Sequence, residues 1–252
     1  MSSRPLSFAP DGQLSQISAA TRASERGFAS AALITQTGVI VGTAQRLNAE
    51  LEDVSYTQKI SLIDEKILLA FSGLTADGRV LVDKAREKSQ IFRLTYADEP
   101  SCSYLSDQVA RVMQKFTQSG GVRPFGVAAL ICGLDKDIPK LYLVSAHGVL
   151  SEWKATAIGR RCKNVKDYFE KNFEDDLTLE KGIEIMIGAM TKVTNTSANI
   201  GCAYIDVERG VTFLEDEEIA EIAKKFDENE NEKEEEEEEE EAVASTVDDE
   251  EN

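Results

Sequence analysis

The sequence predicts an α+β fold in which two β-sheets stack face to face and pairs of helices cover their outer faces, a four-layer αββα sandwich. Three observations lead there. Strand-like runs arrive in blocks, helix-like runs arrive in pairs between those blocks, and Phe125 to Cys132 is almost continuously apolar, as a strand buried on both faces must be. At 252 residues the chain is long enough to build one large domain around such a core.

The first element is a turn followed by a short helix. Pro10 presets φ, Asp11 can bond its own backbone two residues on, and Gly12 accepts a positive φ, so Pro10-Asp11-Gly12 reads as turn chemistry. Leu14, Ile17, Ala20 and Thr21 then form a modest apolar stripe, which predicts a helix from about Leu14 to Ala23 that Gly27 stops. Ser30 to Ile34 and Val39 to Thr43 are the strands of a hairpin broken at Thr37-Gly38. A polar loop at Asn48 to Tyr56 leads to a second pair, Ile60 to Ile63 and Ile67 to Phe71, turning at Asp64-Glu65-Lys66.

Helices follow. Thr75 is the expected N-cap of the first, with Asp77 in its first turn and Leu81, Ala85 and Phe92 at helical spacing. Leu105, Val109, Val112, Met113 and Phe116 mark the second, which Ser119-Gly120-Gly121 ends. Phe125 to Cys132, Leu141 to Val144 and Val149 to Ala155 read as three strands, the last two joined through Ala146-His147-Gly148. A helix near Val165 to Asn172 precedes another carrying Leu179, Ile183, Met186, Ile187 and Met190 on one face. Asn199 to Asp206 and Val211 to Leu214 are late strands, and Ile219, Ile222, Ala223 and Phe226 mark a last helix. Three segments result: 1–26 as an N-terminal segment and helix, 27–226 as the sandwich, and 227–252 as an acidic tail.

Charge separates the tail from the rest. Residues 227–252 hold 16 acids and one base, whereas residues 1–226 hold 30 acids against 27 bases, so the body is nearly balanced. The tail, with eight consecutive glutamates from Glu234 to Glu241, cannot bury apolar surface and is expected to be disordered, serving solubility or docking a basic partner. Neither part offers the basic stripe that nucleic acid would need. Cys102, Cys132, Cys162 and Cys202 form no local metal-binding pair, and with His147 as the sole histidine no metal or other cofactor is expected. Cys132 and Cys202 fall in apolar strands and read as buried thiols, which suits the cytoplasm or nucleus. The uncharged span Gly27 to Gln45 is too often interrupted by Thr, Gln and Gly to cross a membrane.

The wording of four segments adds a resemblance. Phe8-Ala9-Pro10-Asp11-Gly12-Gln13-Leu14-Ser15-Gln16-Ile17, Ser72-Gly73-Leu74-Thr75-Ala76-Asp77-Gly78-Arg79, Thr117 through Val127 and Trp153-Lys154-Ala155-Thr156-Ala157-Ile158-Gly159 resemble, in order, signatures of the alpha-type subunits of the 20S proteasome. Val112-Met113-Gln114 and the run through Leu130-Ile131-Cys132-Gly133 look most like the second position of the eukaryotic ring. The resemblance implies the sandwich of the N-terminal-nucleophile hydrolases and a scaffold role in ubiquitin-dependent degradation, in a hetero-heptameric ring of alpha subunits stacked on beta subunits. It also implies that Phe8, Pro10, Asp11, Gly12, Leu14, Gln16 and Ile17 serve ring contact and the gate. Lys59 aligns with a pocket lysine that, with Gly73, receives the C-terminal carboxylate of an activator or regulatory particle. By spacing alone Lys59 reads as an ordinary surface lysine, and only the alignment puts the docking role level with it. Arg123 could pair with a carboxylate of its own or a neighbouring subunit, or remain solvated, and Trp153 reads as core or interface packing.

Catalytic relatives of that fold free a threonine after glycine at the head of the first strand, so that its own α-amino group can move the proton. Here that place reads Gly27-Phe28-Ala29-Ser30, and the one Gly-Thr pair, Gly42-Thr43, lies inside the second strand. A non-catalytic subunit is therefore expected; the rival reading is an acidic-tailed binding protein or chaperone for basic clients. Two departures from the family weaken the gate: Gln16-Ile17-Ser18-Ala19-Ala20 lacks the tyrosine common in relatives, and the residues before Phe8 contain no Tyr-Asp-Arg. Deleting residues 2–7 is accordingly expected to change peptide entry little; strongly increased hydrolysis of peptides by the assembled particle would contradict this.

Overall fold

The computed structural model describes residues 8–44, 59–194 and 200–226. The residues before Phe8, the polar loop at Asn48 to Tyr56, Asn199 and the acidic segment from Asp227 lie outside the described residues.

Helix α1 (Ser15–Glu25) precedes the hairpin β1 (Ser30–Ile34) and β2 (Gly38–Ala44), followed by β3 (Ile60–Asp64) and β4 (Ile67–Gly73). Helices α2 (Thr75–Tyr96) and α3 (Cys102–Gln118) come next, then β5 (Val127–Asp135), β6 (Ile138–Val144), β7 (Leu150–Glu152) and β8 (Ala155–Ile158). Helices α4 (Cys162–Asn172) and α5 (Leu179–Thr194), strands β9 (Ile200–Asp206) and β10 (Gly210–Phe213) and a helix α6 over 216–226 complete the described chain.

The strands form two five-stranded antiparallel sheets, ordered β10-β9-β2-β1-β8 and β3-β4-β5-β6-β7. Their alternate residues explain three apolar clusters. Val39, Val41, Leu68, Ala70, Leu130 and Cys132 meet between the sheets. The outward residues of β4 and β5, among them Leu69, Phe71 and Ile131, pack under α2 and α3. Leu33 and Ile40 pack under α4 and α5 with Met186, Ile187 and Met190. Because β5 is sandwiched this way, its side chains are buried on both faces from Val127 to Leu134, which is why the sequence shows no alternation there. Each fully buried Leu, Ile, Met or Phe contributes roughly 1.5–3 kcal/mol of transfer free energy.

Several expectations are corrected or narrowed. The segment expected as one strand from Val149 to Ala155 is two strands in different sheets. Trp153 donates its N–H to Leu141 of β6, and the carbonyl of Lys154 accepts from Ile34 of β1, so the chain changes sheet between consecutive residues. Thr75 begins α2 instead of capping it: Leu74 occupies the cap in extended conformation, and no side chain caps the helix there. Gly78 lies inside α2, where a Cβ would sit 2.2 Å from the Phe71 ring, so it permits close helix–strand packing. Trp153 is 41% exposed, its Nε1 donating to Ser151 Oγ, so of its two readings, core or interface packing, the core one does not hold. At the C-terminus of α1 the stop differs in cause: the helix ends before Gly27, which has no positive φ, and a Cβ at Gly27 would meet the backbone nitrogen of Gly73 at 2.1 Å.

Candidate functional site

The N-terminal turn closes on itself. The Gly12 N–H donates to Ala9, the Ala9 N–H to Gln13, and Asp11 Oδ1 accepts from the Gln13 N–H at 3.0 Å, the self-bond its sequence predicts, while Gly12 takes φ +78°. Phe8 is 73% exposed, Pro10, Asp11 and Gly12 are exposed, and Leu14, Gln16 and Ile17 are half-buried. From this turn α1 runs against β4 and β5; the Ser24 carbonyl accepts from Ser72 Oγ at 3.0 Å.

A second feature lies where four separated segments meet. Gly27 and Phe28 lead from α1 into β1, Lys59 immediately precedes β3, Gly73 ends β4, and Gly159-Arg160 links β8 to α4. Close backbone approach holds them together. The Arg160 N–H donates to the Gly27 carbonyl at 2.8 Å, a Cβ on Gly159 would lie 2.4 Å from Ser72 Oγ, and one on Gly73 would lie 2.1 Å from the Gly126 carbonyl oxygen. Gly73 also has φ +125°, a conformation that side chains resist.

Lys59 is 6% exposed, so the surface-lysine alternative does not hold. Its Nζ stands 4.5 Å from the centre of the Phe28 ring, and the Arg160 guanidinium carbon stands 4.9 Å from the same centre. Burial, and then the neighbouring Arg160 charge, pull the Lys59 ammonium down to about 8. Among the described residues neither cation is in an ion pair with a carboxylate. Such a place favours an incoming anion. Lys59 and Gly73 thus flank the same Gly27-Phe28 segment, while Phe8 to Ile17 form a separate feature at the start of α1. Arg160 is an addition that the sequence did not single out, while Phe28 and Gly159 stood in quoted segments without a role at this site; Arg160 directly follows the Trp153-to-Gly159 motif but lies 101 positions from Lys59 in the chain.

Arg123 finds its partner within the same chain. Its two terminal nitrogens donate to Asp77 at 2.6 and 2.8 Å, and Asp77 also accepts from the Gly126 N–H at 2.9 Å, so the guanidinium holds that carboxyl below its ordinary range.

The hydroxyls near the head of β1 are committed elsewhere. Ser30 is fully buried and donates to the Phe71 carbonyl at 3.1 Å; Thr43, also buried, directs its hydroxyl toward the Gly201 carbonyl. Burial raises the thiols of Cys102, Cys132 and Cys202, the last to about 12. Among the described residues no cluster of His, Cys, Asp and Glu could hold a metal, and no helix is long and apolar enough to cross a membrane.

A family model described as "Proteasome subunit" matches residues 24–205. Proteasome subunit alpha type-7 of Dictyostelium discoideum is 39% identical over 214 residues, 84% of this chain and 85% of its own. Proteasome subunit alpha type-4 of Saccharomyces cerevisiae is 38% identical over 228 residues, 88% and 90% of the two chains. The proteasome subunit alpha of Methanocaldococcus jannaschii is 42% identical over 185 residues, 73% and 71%. The chain belongs to the proteasome subunit family, and these relatives are alpha subunits. The second ring position expected from the sequence is not among the numbered names, which are 7 and 4.

Proposed function

We propose that this chain is a non-catalytic alpha subunit of the outer ring of a 20S proteasome, with the sandwich of the N-terminal-nucleophile hydrolases, working in ubiquitin-dependent degradation. Its partners are other alpha subunits in a hetero-heptameric ring, beta subunits below, and activator C-termini above. The observation that carries the reading is the head of β1. A self-activating threonine needs a free α-amino group beside its hydroxyl. Here Phe28, not a threonine, follows Gly27 at that place, and the Ser30 hydroxyl is spent on a backbone carbonyl.

The exposed Phe8 and its self-closed turn suit ring contact and gating, since a rigid turn presents an apolar side chain with little entropy left to lose. Lys59 and Gly73 form the activator-docking site: a buried ammonium without a described carboxylate partner favours a terminal carboxylate, and a charge-assisted bond of that kind contributes about 1.5–3 kcal/mol. Buried thiols suit the reducing cytoplasm and nucleus.

The test is native mass spectrometry on complexes purified through a C-terminal tag on this chain. A very large assembly of many related subunits, with this chain unprocessed, is expected. A lone chain or small oligomer would overturn the ring role and bring forward the acidic-tailed binding protein; covalent labelling by a threonine-directed inhibitor would overturn the non-catalytic assignment. Separately, Lys59→Ala is expected to weaken activator binding to the particle at least tenfold, matching the loss of one charge-assisted bond. Unchanged binding would remove Lys59 from the docking site.

A further inference from the structure

Two cations share one aromatic ring at the Lys59 site, and only one of them belongs to the docking pocket implied by the sequence. Lys59 Nζ and the Arg160 guanidinium both lie within 5 Å of the Phe28 ring centre. They flank strands of opposite sheets, Lys59 just before β3 and Arg160 two residues after β8, so folding brings like charges together where the two sheets meet. Like charges in a partly desolvated place repel, and the Lys59 titration is lowered first by burial and then by that repulsion. Phe28 offers only quadrupole attraction, which offsets little of it. Among the described residues no carboxylate neutralises either group.

We infer that Arg160 is the second cation of the anion site centred on Lys59, adding attraction for the terminal carboxylate of a docking partner. The inference rests on the reading of Lys59 as the carboxylate receptor. The two residues divide the work by exposure: Lys59, buried, meets the anion in a desolvated place, whereas Arg160, exposed, adds a longer-range pull that salt screens. An arriving carboxylate relieves the repulsion between them, so binding raises the Lys59 titration midpoint and takes up protons near pH 8. The anchoring of Arg160 does not depend on its side chain, because its backbone N–H makes the bond to Gly27.

The test uses the full chain with its lysines carrying 13C-methyl labels, the Lys59 resonance being assigned through Lys59→Arg. The probes are N-acetylalanine, a minimal terminal carboxylate, and its amide. The acid, not the amide, is expected to bind and to raise the Lys59 midpoint. In Arg160→Met the midpoint of the free chain is expected to rise, and acid binding to weaken about three- to tenfold at low ionic strength, with a smaller difference at high salt. Arg160→Lys is expected to retain most of the affinity, which a purely structural arginine would not predict. If Arg160→Met leaves midpoint and affinity unchanged while Lys59→Met loses binding, Arg160 has no part and the docking role of Lys59 stands. If the amide binds as well as the acid, both readings fail.

Discussion

Lys59→Met is expected to stabilise the folded chain at neutral pH while weakening activator docking. The unfolded chain holds the lysine proton up to the ordinary 10.5, whereas the folded chain releases it near 8. At about 1.4 kcal/mol per unit, the buried charge therefore costs about 3 kcal/mol below pH 8. The sign follows from proton counting. Between about 8 and 10.5 the unfolded state binds more protons, so the stability of the parent chain rises with pH across that window, and below it the penalty is complete. Methionine keeps the apolar stem without the ammonium. Urea unfolding should then show the variant more stable by about 3 kcal/mol at pH 7, with the gap closing toward pH 10.5. A gap that is absent at pH 7, or that does not change with pH, would mean that the Lys59 charge is not under strain. A buried charge retained against its own cost to folding is the pattern expected of a binding site.

Gly73→Ala is expected to be among the most destabilising single-atom additions in the molecule. Two effects act at once. The backbone holds φ +125°, outside what alanine readily adopts, and the new Cβ would lie 2.1 Å from the carbonyl oxygen of Gly126. That oxygen also accepts from the Leu74 N–H at 3.1 Å, so it cannot swing away without loosening the entry to α2. Backbone strain of 1–3 kcal/mol and overpacking of similar size together predict a loss of roughly 3 kcal/mol or more. Gly120→Ala is the control, because among the described residues no atom beyond its chain neighbours lies within 4 Å of its Cβ position and its φ is not positive. It should change stability by no more than about 0.5 kcal/mol. Thermal unfolding of the two variants separates them; equal melting temperatures would show that the β4–β5 junction can yield.

Much of the architecture was legible because it depends on local periodicity. The i, i+4, i+7, i+8 stripes of Leu105 to Phe116 and Leu179 to Met190 place α3 and α5, and each stripe faces a core cluster, with Val112, Phe116 and Leu179 only partly buried. The Thr37-Gly38 break and the Pro10-Asp11-Gly12 turn were also readable, since a turn is decided by the two or three residues that make it. The boundary between β7 and β8 was not readable. Val149 to Ala155 has one continuous pattern, and only the hydrogen bonds of Trp153 to one sheet and Lys154 to the other divide it. Gly78 carried no sign of its role either, because the Phe71 ring that forbids a side chain there belongs to another element.

The same division holds for function. Residue order alone carries the family, through four colinear segments, and the absence of a Gly-Thr bond at the head of the first strand. It also named Lys59 and Gly73, but left Lys59 with an ordinary surface role as an equal alternative. That Lys59 is buried, that Arg160 shares the Phe28 ring with it, and that Arg123 is paired with Asp77 of its own chain are visible in the folded chain alone. The physical reason is that desolvation and Coulomb repulsion depend on distance through space, and the groups concerned come from different strands and helix entries that meet only when the two sheets close on each other.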